Sequence, residues 1–189
     1  SEITKTLRWI SNRAKKDSKI FFYYSGHGAP DAKTSASYIV PYDGDPNYLQ
    51  ETGYPLKKLY SELGKLDVAE ILVVMDSCFS GAGGRSVLAK GTRPLVMQVE
   101  GNALLPKNIA VLSASQGNQI STYYKEKEHG LFTYYFLKAI KEGKKDIFEI
   151  YNFAKPKVED EAKRQNIDQT PSLNPSDQKN LKGKFNLRK

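Results

Sequence analysis

Three short apolar runs limit most strongly what this chain can fold into. Residues 20–24, 71–75 and 109–114 are apolar at nearly every position, with no alternation between apolar and polar side chains. Such a run is apolar on both faces, as in the central strands of a parallel sheet that helices cover on both sides. About 20 apolar residues are needed to span a bilayer, and these runs are only strand-sized. The sequence therefore predicts buried strands and no membrane partner.

Amphipathic segments separate these runs. Apolar residues recur at helical spacing over residues 2–14, 56–66 and 131–140, and residues 146–165 are also expected to be helical, with Pro156 bending or dividing that helix. Helices and strands alternate along the chain, which favours right-handed parallel crossovers. The 189 residues are enough for one α/β domain and too few for two comfortable ones.

Polar, glycine-rich turns directly follow the first two runs. Ser-Gly-His-Gly, with His27 and Gly28, follows the first run, and Asp-Ser-Cys, with Cys78, follows the second. Because the carboxyl ends of parallel strands meet at one edge of a sheet, we expect the imidazole and the thiol to face each other. A base beside a thiol favours the thiolate, which attacks acyl carbons. The amides of Gly28 and Cys78 are then suited to stabilising an oxyanion.

Each of these residues has a structural alternative when it is considered alone. A free cysteine is often buried as a small apolar residue, and a histidine at a strand end is often only a hydrogen-bonded turn residue. The occurrence of both at strand ends, each in a glycine-containing turn, favours nucleophilic catalysis. The chain has one cysteine, which excludes an internal disulfide and a multi-cysteine metal site.

Longer motifs around both residues resemble those of caspase-like cysteine peptidases. Phe-Tyr-Tyr-Ser-Gly-His-Gly contains His27, and Asp-Ser-Cys-Phe-Ser-Gly contains Cys78, 51 positions later (78 − 27); in caspases the spacing is about 50. Tyr-Ile-Val-Pro-Tyr-Asp-Gly-Asp-Pro and Gly-Leu-Phe-Thr match as well, and the resemblance is closest to the bacterial metacaspase-like (orthocaspase) branch. It implies a three-layer α/β/α sandwich with a mostly parallel sheet. It also implies a His27–Cys78 dyad and an oxyanion hole from the Gly28 and Cys78 amides.

The resemblance also implies a specificity. The caspase signature Gln-Ala-Cys-Arg-Gly is absent, and Asp76 stands two positions before the cysteine. In metacaspases an aspartate at that position helps to form an acidic S1 pocket, and a carboxylate pairs well with guanidinium or ammonium. We therefore expect cleavage after Arg or Lys, with Ser113 and Ser115 in another wall of the pocket. The alternatives are a helix N-cap or turn role for Asp76 and ordinary strand-end polarity for the serines.

The segment after Cys78 is expected to be a flexible loop. It carries five glycines over residues 79–101 and shows little periodicity. We expect one peptidase domain over residues 1–189. Because family members are often cut in this loop, we divide the domain into a large-subunit-like part over about 1–84, the loop over about 85–101 and a small-subunit-like part over about 102–189. Self-processing and simple flexibility are both compatible with this composition. The candidate self-cleavage sites are Arg85, Lys90 and Arg93.

Family members carry a first strand and helix before the segment at which this chain begins, often with a further acidic S1 residue. Only about twenty residues precede the strand that leads to His27. We therefore expect the first strand to be missing from this chain or to come from a separate N-terminal fragment, which would be a partner. Without that strand, one edge of the sheet is exposed.

Charge and metal ligands give weaker signals. The formal charge of +8 suits an acidic partner, but the lysines are spread along the whole chain, so we expect a solvated surface and no nucleic-acid site. The dyad requires no metal or other cofactor. Asp43 and Asp45 lie in one turn, and many metacaspases are activated by calcium, so calcium activation is an expectation from the resemblance. Hard cations prefer six or more oxygen ligands, which two carboxylates do not provide.

The sequence thus predicts a cysteine endopeptidase that acts on protein or peptide substrates with a basic P1 residue. Two main alternatives stay open, beside a weaker one in which the basic surface binds nucleic acid with a steeply salt-dependent affinity. One is a catalytically inactive caspase-like domain that serves as an interaction scaffold. The other is amidotransferase-type acyl transfer by the same thiol.

Overall fold

The computed structural model describes residues 1–31, 33–34, 36–79, 105–117, 119–175 and 181–187. Five α-helices and nine strands are described within these ranges, together with two short 3₁₀ turns, Pro46–Tyr48 and Lys125–Lys127. In chain order the helices and strands are α1 (Glu2–Ser11), β1 (Lys19–Ser25), β2 (His27–Pro30), β3 (Ser37–Val40), α2 (Leu49–Thr52), β4 (Tyr54–Pro55), α3 (Leu56–Gly64), β5 (Glu70–Asp76), β6 (Ile109–Ser113), β7 (Tyr123–Tyr124), β8 (His129–Gly130), α4 (Leu131–Lys141), α5 (Ile147–Arg164) and β9 (Ser172–Asn174).

The main sheet has four strands in the order β1-β5-β6-β9. β1, β5 and β6 run parallel, and β9 runs antiparallel to β6. The expected α/β fold with a mostly parallel sheet is therefore confirmed. In the described part of the chain, no helix is both long and apolar enough to cross a membrane.

Helices cover both faces of the sheet. Leu72 and Val74 of β5 belong to one core cluster, which includes Phe132 of α4 and Ile150 of α5. Their neighbours in the strand face the other way: Ile71, Val73 and Met75 pack in a second cluster with Leu7 of α1 and with Leu56, Leu59 and Leu63 of α3. Because successive side chains of a strand point to opposite faces, the run has to be apolar throughout. The three layers therefore explain the absence of alternation in β5.

β1 departs from the prediction of a central strand that is covered on both faces. It lies at the edge of the described four-stranded sheet. Phe22 and Tyr24 pack against the α1–α3 side, whereas Phe21 and Tyr23 on the other face are 49% and 40% exposed. A run of aromatic residues gives the same sequence pattern whether one face is buried or half exposed to solvent. The prediction of a strand covered on both faces was therefore wrong for β1.

The long C-terminal helix has clear signals at its start. The side chain of Asp146 accepts a hydrogen bond from the amide of Glu149 at 2.8 Å, which caps α5. The helix then continues through Pro156 to Arg164 as one element. Pro156 therefore does not divide it, although a proline inside a helix removes one backbone hydrogen bond.

A second sheet begins at His27. Only Gly26 separates β1 from β2, and β2 pairs antiparallel with β3, with His27 opposite Val40. β4 completes this three-stranded sheet on the other side of β3. The hairpin of β2 and β3 thus starts at the candidate base and belongs to a sheet separate from the main one.

Candidate active site

The ends of β1 and β5 lie side by side. In the parallel register Ser25 pairs with Asp76, so His27 and Cys78 each follow the last pair by two positions. The amide of Gly26 donates to the carbonyl of Asp76 at 3.2 Å, which continues the pairing beyond the strands. The register therefore brings the two candidate catalytic residues to the same edge of the sheet.

Gly28 brings the two motifs into close contact. A Cβ atom at Gly28 would lie 2.6 Å from the carbonyl oxygen of Cys78 and 2.4 Å from Cδ1 of Phe79. Both distances are shorter than real Cβ contacts, so only glycine lets the two turns approach this closely. The role of the Gly28 and Cys78 amides as an oxyanion hole stays a prediction.

The turn that carries His27 is held by Tyr24. The Tyr24 hydroxyl lies 2.8 Å from the carbonyl oxygen of His27 and 2.9 Å from that of Val40. A Cβ atom at Gly26 would lie 2.6 Å from the same hydroxyl, so the glycine leaves room for the tyrosine. The side chain of His27 is exposed. Tyr24 was not singled out from the sequence, where its only signal is an aromatic residue three positions before the histidine.

Cys78 is fully buried and contacts a neighbouring segment. Its Sγ atom donates a hydrogen bond to the carbonyl oxygen of Gln119 at 3.0 Å. The side chain of Gln119 is in turn fixed by Thr170, whose amide donates to Oε1 at 2.8 Å and whose Oγ1 accepts from Nε2 at 3.3 Å. Gln169 donates to the carbonyl of Ala114 at 3.0 Å and accepts from the amide of Thr122 at 3.0 Å. Two adjacent residues at the end of the loop between α5 and β9 thus bind the segment that contacts the thiol.

Asp76 is also fully buried, and hydroxyl groups contact both of its carboxylate oxygens. Oδ1 accepts from Oγ of Ser121 at 2.6 Å. Oδ2 accepts from the amide of Thr133 at 3.3 Å and from its Oγ1. Thr133 lies in the first turn of α4, whose N-cap is Gly130 and has no side chain to offer. Asp76 therefore caps α4 from another element, and the positive end of the helix favours its negative charge.

The comparisons with known proteins decide the family. A family model described as the caspase domain, peptidase family C14, matches residues 1–182. The chain belongs to the caspase-domain peptidase family. Membership indicates a cysteine-type peptidase in general terms.

A solved structure adds information on the fold of this caspase domain. This chain is similar to the crystal structure of protein GSU0716 from Geobacter sulfurreducens, with a TM-score of 0.57 and 23% sequence identity. The similarity covers 90% of this chain and 71% of that chain. At this identity the similarity shows the fold alone. Among curated proteins, no sequence matches the chain at a significant level.

The remaining candidate residues of the caspase domain have different positions. Ser113 is the last residue of β6, where it pairs with Met75, and it is partly buried like Ser115 just beyond it. Both serines lie at the same edge of the sheet as Asp76, because the amide of Ala114 donates to the carbonyl of Met75 at 2.8 Å. Their role in S1 stays a prediction. The candidate self-cleavage sites Arg85, Lys90 and Arg93 lie outside the described residues.

In the turn that contains Asp43 and Asp45, the Asp45 side chain hydrogen-bonds to the backbone. Asp45 accepts from the amide of Asn47 at 2.8 Å and caps the turn Pro46–Tyr48. Over the described ranges, no three histidine, cysteine or acidic side chains are close enough together to hold a metal ion. Activation by calcium stays a prediction.

Proposed function

We propose that this caspase domain is a cysteine endopeptidase that hydrolyses peptide bonds after Arg or Lys, with Cys78 as nucleophile and His27 as general base. The parallel register of β1 and β5 carries the proposal, because it delivers both residues to one edge with a single offset. The close approach of Gly28 to the Cys78 carbonyl supports the same pairing. Membership of the caspase-domain family supports a peptidase activity in general.

The chemistry follows from these two groups. His27 takes the thiol proton of Cys78, and the thiolate attacks the substrate carbonyl carbon to form a tetrahedral oxyanion. The amides of Gly28 and Cys78 donate to that oxyanion. The C–N bond then breaks, His27 returns the proton to the leaving amine, and a thioester remains on Cys78. His27 next deprotonates a water molecule, which hydrolyses the thioester and restores the thiol.

Asp76 is proposed to select the basic P1 side chain, with Ser113 and Ser115 beside it. Its carboxylate lies two residues before the nucleophile and is held in place through Oδ2 by Thr133. Oδ1 accepts a hydrogen bond from the neutral hydroxyl of Ser121. A guanidinium or ammonium group that reaches Oδ1 forms a charge-assisted hydrogen bond, which is roughly twice as strong as a neutral one.

Three further features extend this proposal. Cleavage after basic residues would allow self-processing at Arg85, Lys90 or Arg93. An N-terminal fragment would pair with the edge strand β1 as a partner. Calcium would act as an activator and not as a catalytic ligand, because the dyad itself needs no metal.

A second candidate function, a catalytically inactive interaction scaffold, is favoured by one observation. The Cys78 thiol is fully buried and hydrogen-bonded to Gln119, so it does not face solvent in this structure. If that state were permanent, no substrate would reach the sulfur. The scaffold therefore predicts a thiol that is inert to peptides and to small alkylating agents alike.

The test compares fluorogenic peptides that end in Arg, Lys, citrulline or Asp, each with calcium and with a chelator. We expect hydrolysis after Arg and Lys that disappears in Cys78→Ala. Asp76→Asn should lose the preference for Arg over citrulline, whereas Asp146→Asn, a buried capping aspartate far along the chain, should keep it. Cleavage after Asp would contradict the specificity. No hydrolysis, together with a Cys78 that small alkylating agents never modify, would favour the scaffold.

A further inference from the structure

One short segment contacts both groups on which the proposed reaction depends. Residues 119–121, called the latch here, accept the Cys78 thiol through the carbonyl of Gln119 at 3.0 Å. Two residues later, Ser121 donates to Asp76 at 2.6 Å. Cys78, Asp76 and Ser121 are each 0% exposed. The proposed nucleophile and the proposed S1 carboxylate are thus both hydrogen-bonded to the same three-residue segment.

The two oxygens of Asp76 differ in what holds them. Oδ2 is bound by the amide and hydroxyl of Thr133 in the first turn of α4, and the Thr133 hydroxyl also lies 2.8 Å from that of Tyr23 on β1. Oδ1 is bound by Ser121, which lies in an irregular segment. A cation can replace the Ser121 hydroxyl without breaking the cap of α4. The two carboxylate oxygens are thus bound by different elements, Oδ2 by the start of α4 and Oδ1 by the latch.

The anchors of the latch lie outside the catalytic groups. Gln119 is tied to Thr170 through its side chain, and Thr122, the next residue after the latch, is tied to Gln169 through its amide. These are neutral hydrogen bonds, each of which contributes little net stability. A charge-assisted contact at Asp76 is strong enough to compete with such bonds. The latch is held closed, but by contacts that a cationic ligand can overcome.

We propose that the latch is released by the substrate itself: a basic P1 side chain takes the place of Ser121 on Asp76, and movement of the segment uncovers Cys78. The inference rests on the proposed function for the role of Asp76. It adds that one contact has two effects. Binding of the basic P1 side chain to Asp76 selects the substrate and also opens access to Cys78. A neutral side chain of the same length does not release the latch.

The test measures the rate at which iodoacetamide alkylates Cys78, followed by intact mass, and needs no peptide hydrolysis. Agmatine, which carries a guanidinium on a short alkyl chain, should accelerate alkylation by roughly tenfold if the closed state holds about nine-tenths of the molecules. N-butylurea, which lacks both the guanidinium and the terminal ammonium of agmatine, should leave the rate unchanged. Asp76→Asn should remove the response to agmatine.

Variants of the latch give the second arm of the test. Ser121→Ala should raise the alkylation rate in the absence of agmatine, and Thr170→Val, which removes one anchor of Gln119, should raise it less. Ser61→Ala, on the exposed face of α3, serves as the control and should match the wild type. Thermal unfolding midpoints for each variant separate release of the latch from loss of the fold.

The outcomes separate this inference from the proposed function. Equal alkylation rates with agmatine and N-butylurea, in a chain that hydrolyses peptides after Arg, would overturn the latch and keep the peptidase. Acceleration by agmatine that depends on Asp76, in a chain that hydrolyses nothing, would support the latch and contradict the peptidase. A Ser121→Ala variant that is folded and alkylated at the wild-type rate would also overturn the latch.

Discussion

The two strand ends that form the site differ in their access to solvent. The turn after β1 exposes His27, whereas the end of β5 buries both Asp76 and Cys78 completely. The register is the same for both, so the difference comes from their surroundings. β1 is an edge strand whose chain continues into an open hairpin, and β5 lies between β1 and β6 under the latch and the start of α4.

This comparison indicates where activity is controlled. The proposed base, His27, needs no rearrangement to meet solvent or substrate, because it already lies at the surface. The proposed nucleophile, Cys78, is buried and hydrogen-bonded to a segment that also binds the carboxylate of Asp76. We infer that opening of the β5 end, and not assembly of the β1 end, limits the reaction of this domain.

Gly28→Ala should have the largest effect, because it separates the two strand ends. The added Cβ would lie 2.6 Å from the backbone carbonyl of Cys78, and the turns must move apart. A displacement of about 1 Å at a reacting group can cost about a hundredfold in rate, so we expect that loss in kcat/KM. Gly143→Ala is the control: Gly143 has a φ of +89°, which strains an alanine, but the added Cβ would meet no atom within 4 Å, so the variant should lower stability and leave kcat/KM unchanged. A Gly28→Ala enzyme of full activity would contradict the close approach.

Thr133→Ala should mainly affect the buried end. It removes one hydroxyl from the Asp76 carboxylate at the first turn of α4, and hydrogen bonds to charged groups contribute about 2 kcal/mol. We expect the free energy of unfolding to fall by about that amount in urea denaturation. Thr133→Ser keeps the hydroxyl and should restore most of the loss. Equal stabilities of the alanine and serine variants would show that the hydroxyl contributes nothing.

Asp31→Asn should have the smallest effect, at the tip of the hairpin that follows His27. Burial acts to raise the pKa of the Asp31 carboxyl, but hydrogen bonds from the Lys33 amide, the Gln50 side chain and Thr34 outweigh it and lower the pKa below its usual range. Because the pKa of this carboxyl is lower in the folded state, its ionisation stabilises the fold at pH values above the pKa in the unfolded state, near 3.9. This contribution is lost as the pH falls through the pKa in the folded state. The stability difference between wild type and Asp31→Asn should be at most about 1 kcal/mol at neutral pH and should shrink below pH 4. A difference that is constant down to pH 2 would contradict this account.

The sequence predicted the parts of this molecule that depend on local pattern. The buried runs became β1, β5 and β6 within one residue at each end, and the motifs placed His27 and Cys78 at adjacent strand ends. It did not predict that β1 is an edge strand, because Phe21 and Tyr23 look the same whether they face a helix or solvent.

The contacts that cover the nucleophile were not predictable from local pattern either. Gln119 lies 41 positions from Cys78, and Ser121 and Thr133 lie 45 and 57 positions from Asp76. In the sequence, Thr133 was noted only as part of the Gly-Leu-Phe-Thr motif, and nothing there indicated its contact with Asp76. Such pairs arise from the packing of distant segments, for which short-range periodicity carries no signal. The alternative of a capping role for Asp76 was close to what is observed, except that the capped helix is a distant one.

The central claim is that the exposed His27 acts on the buried Cys78, and one measurement tests it directly. A peptidyl-arginine acyloxymethyl ketone, which reacts with a thiolate after binding as a substrate, is followed by intact mass on wild type and His27→Ala. We predict one adduct on Cys78 in the wild type and a labelling rate that is at least about a hundredfold lower in His27→Ala. The unfolding midpoint of His27→Ala should be unchanged, because the imidazole is exposed. Labelling of His27→Ala at the wild-type rate would contradict the dyad.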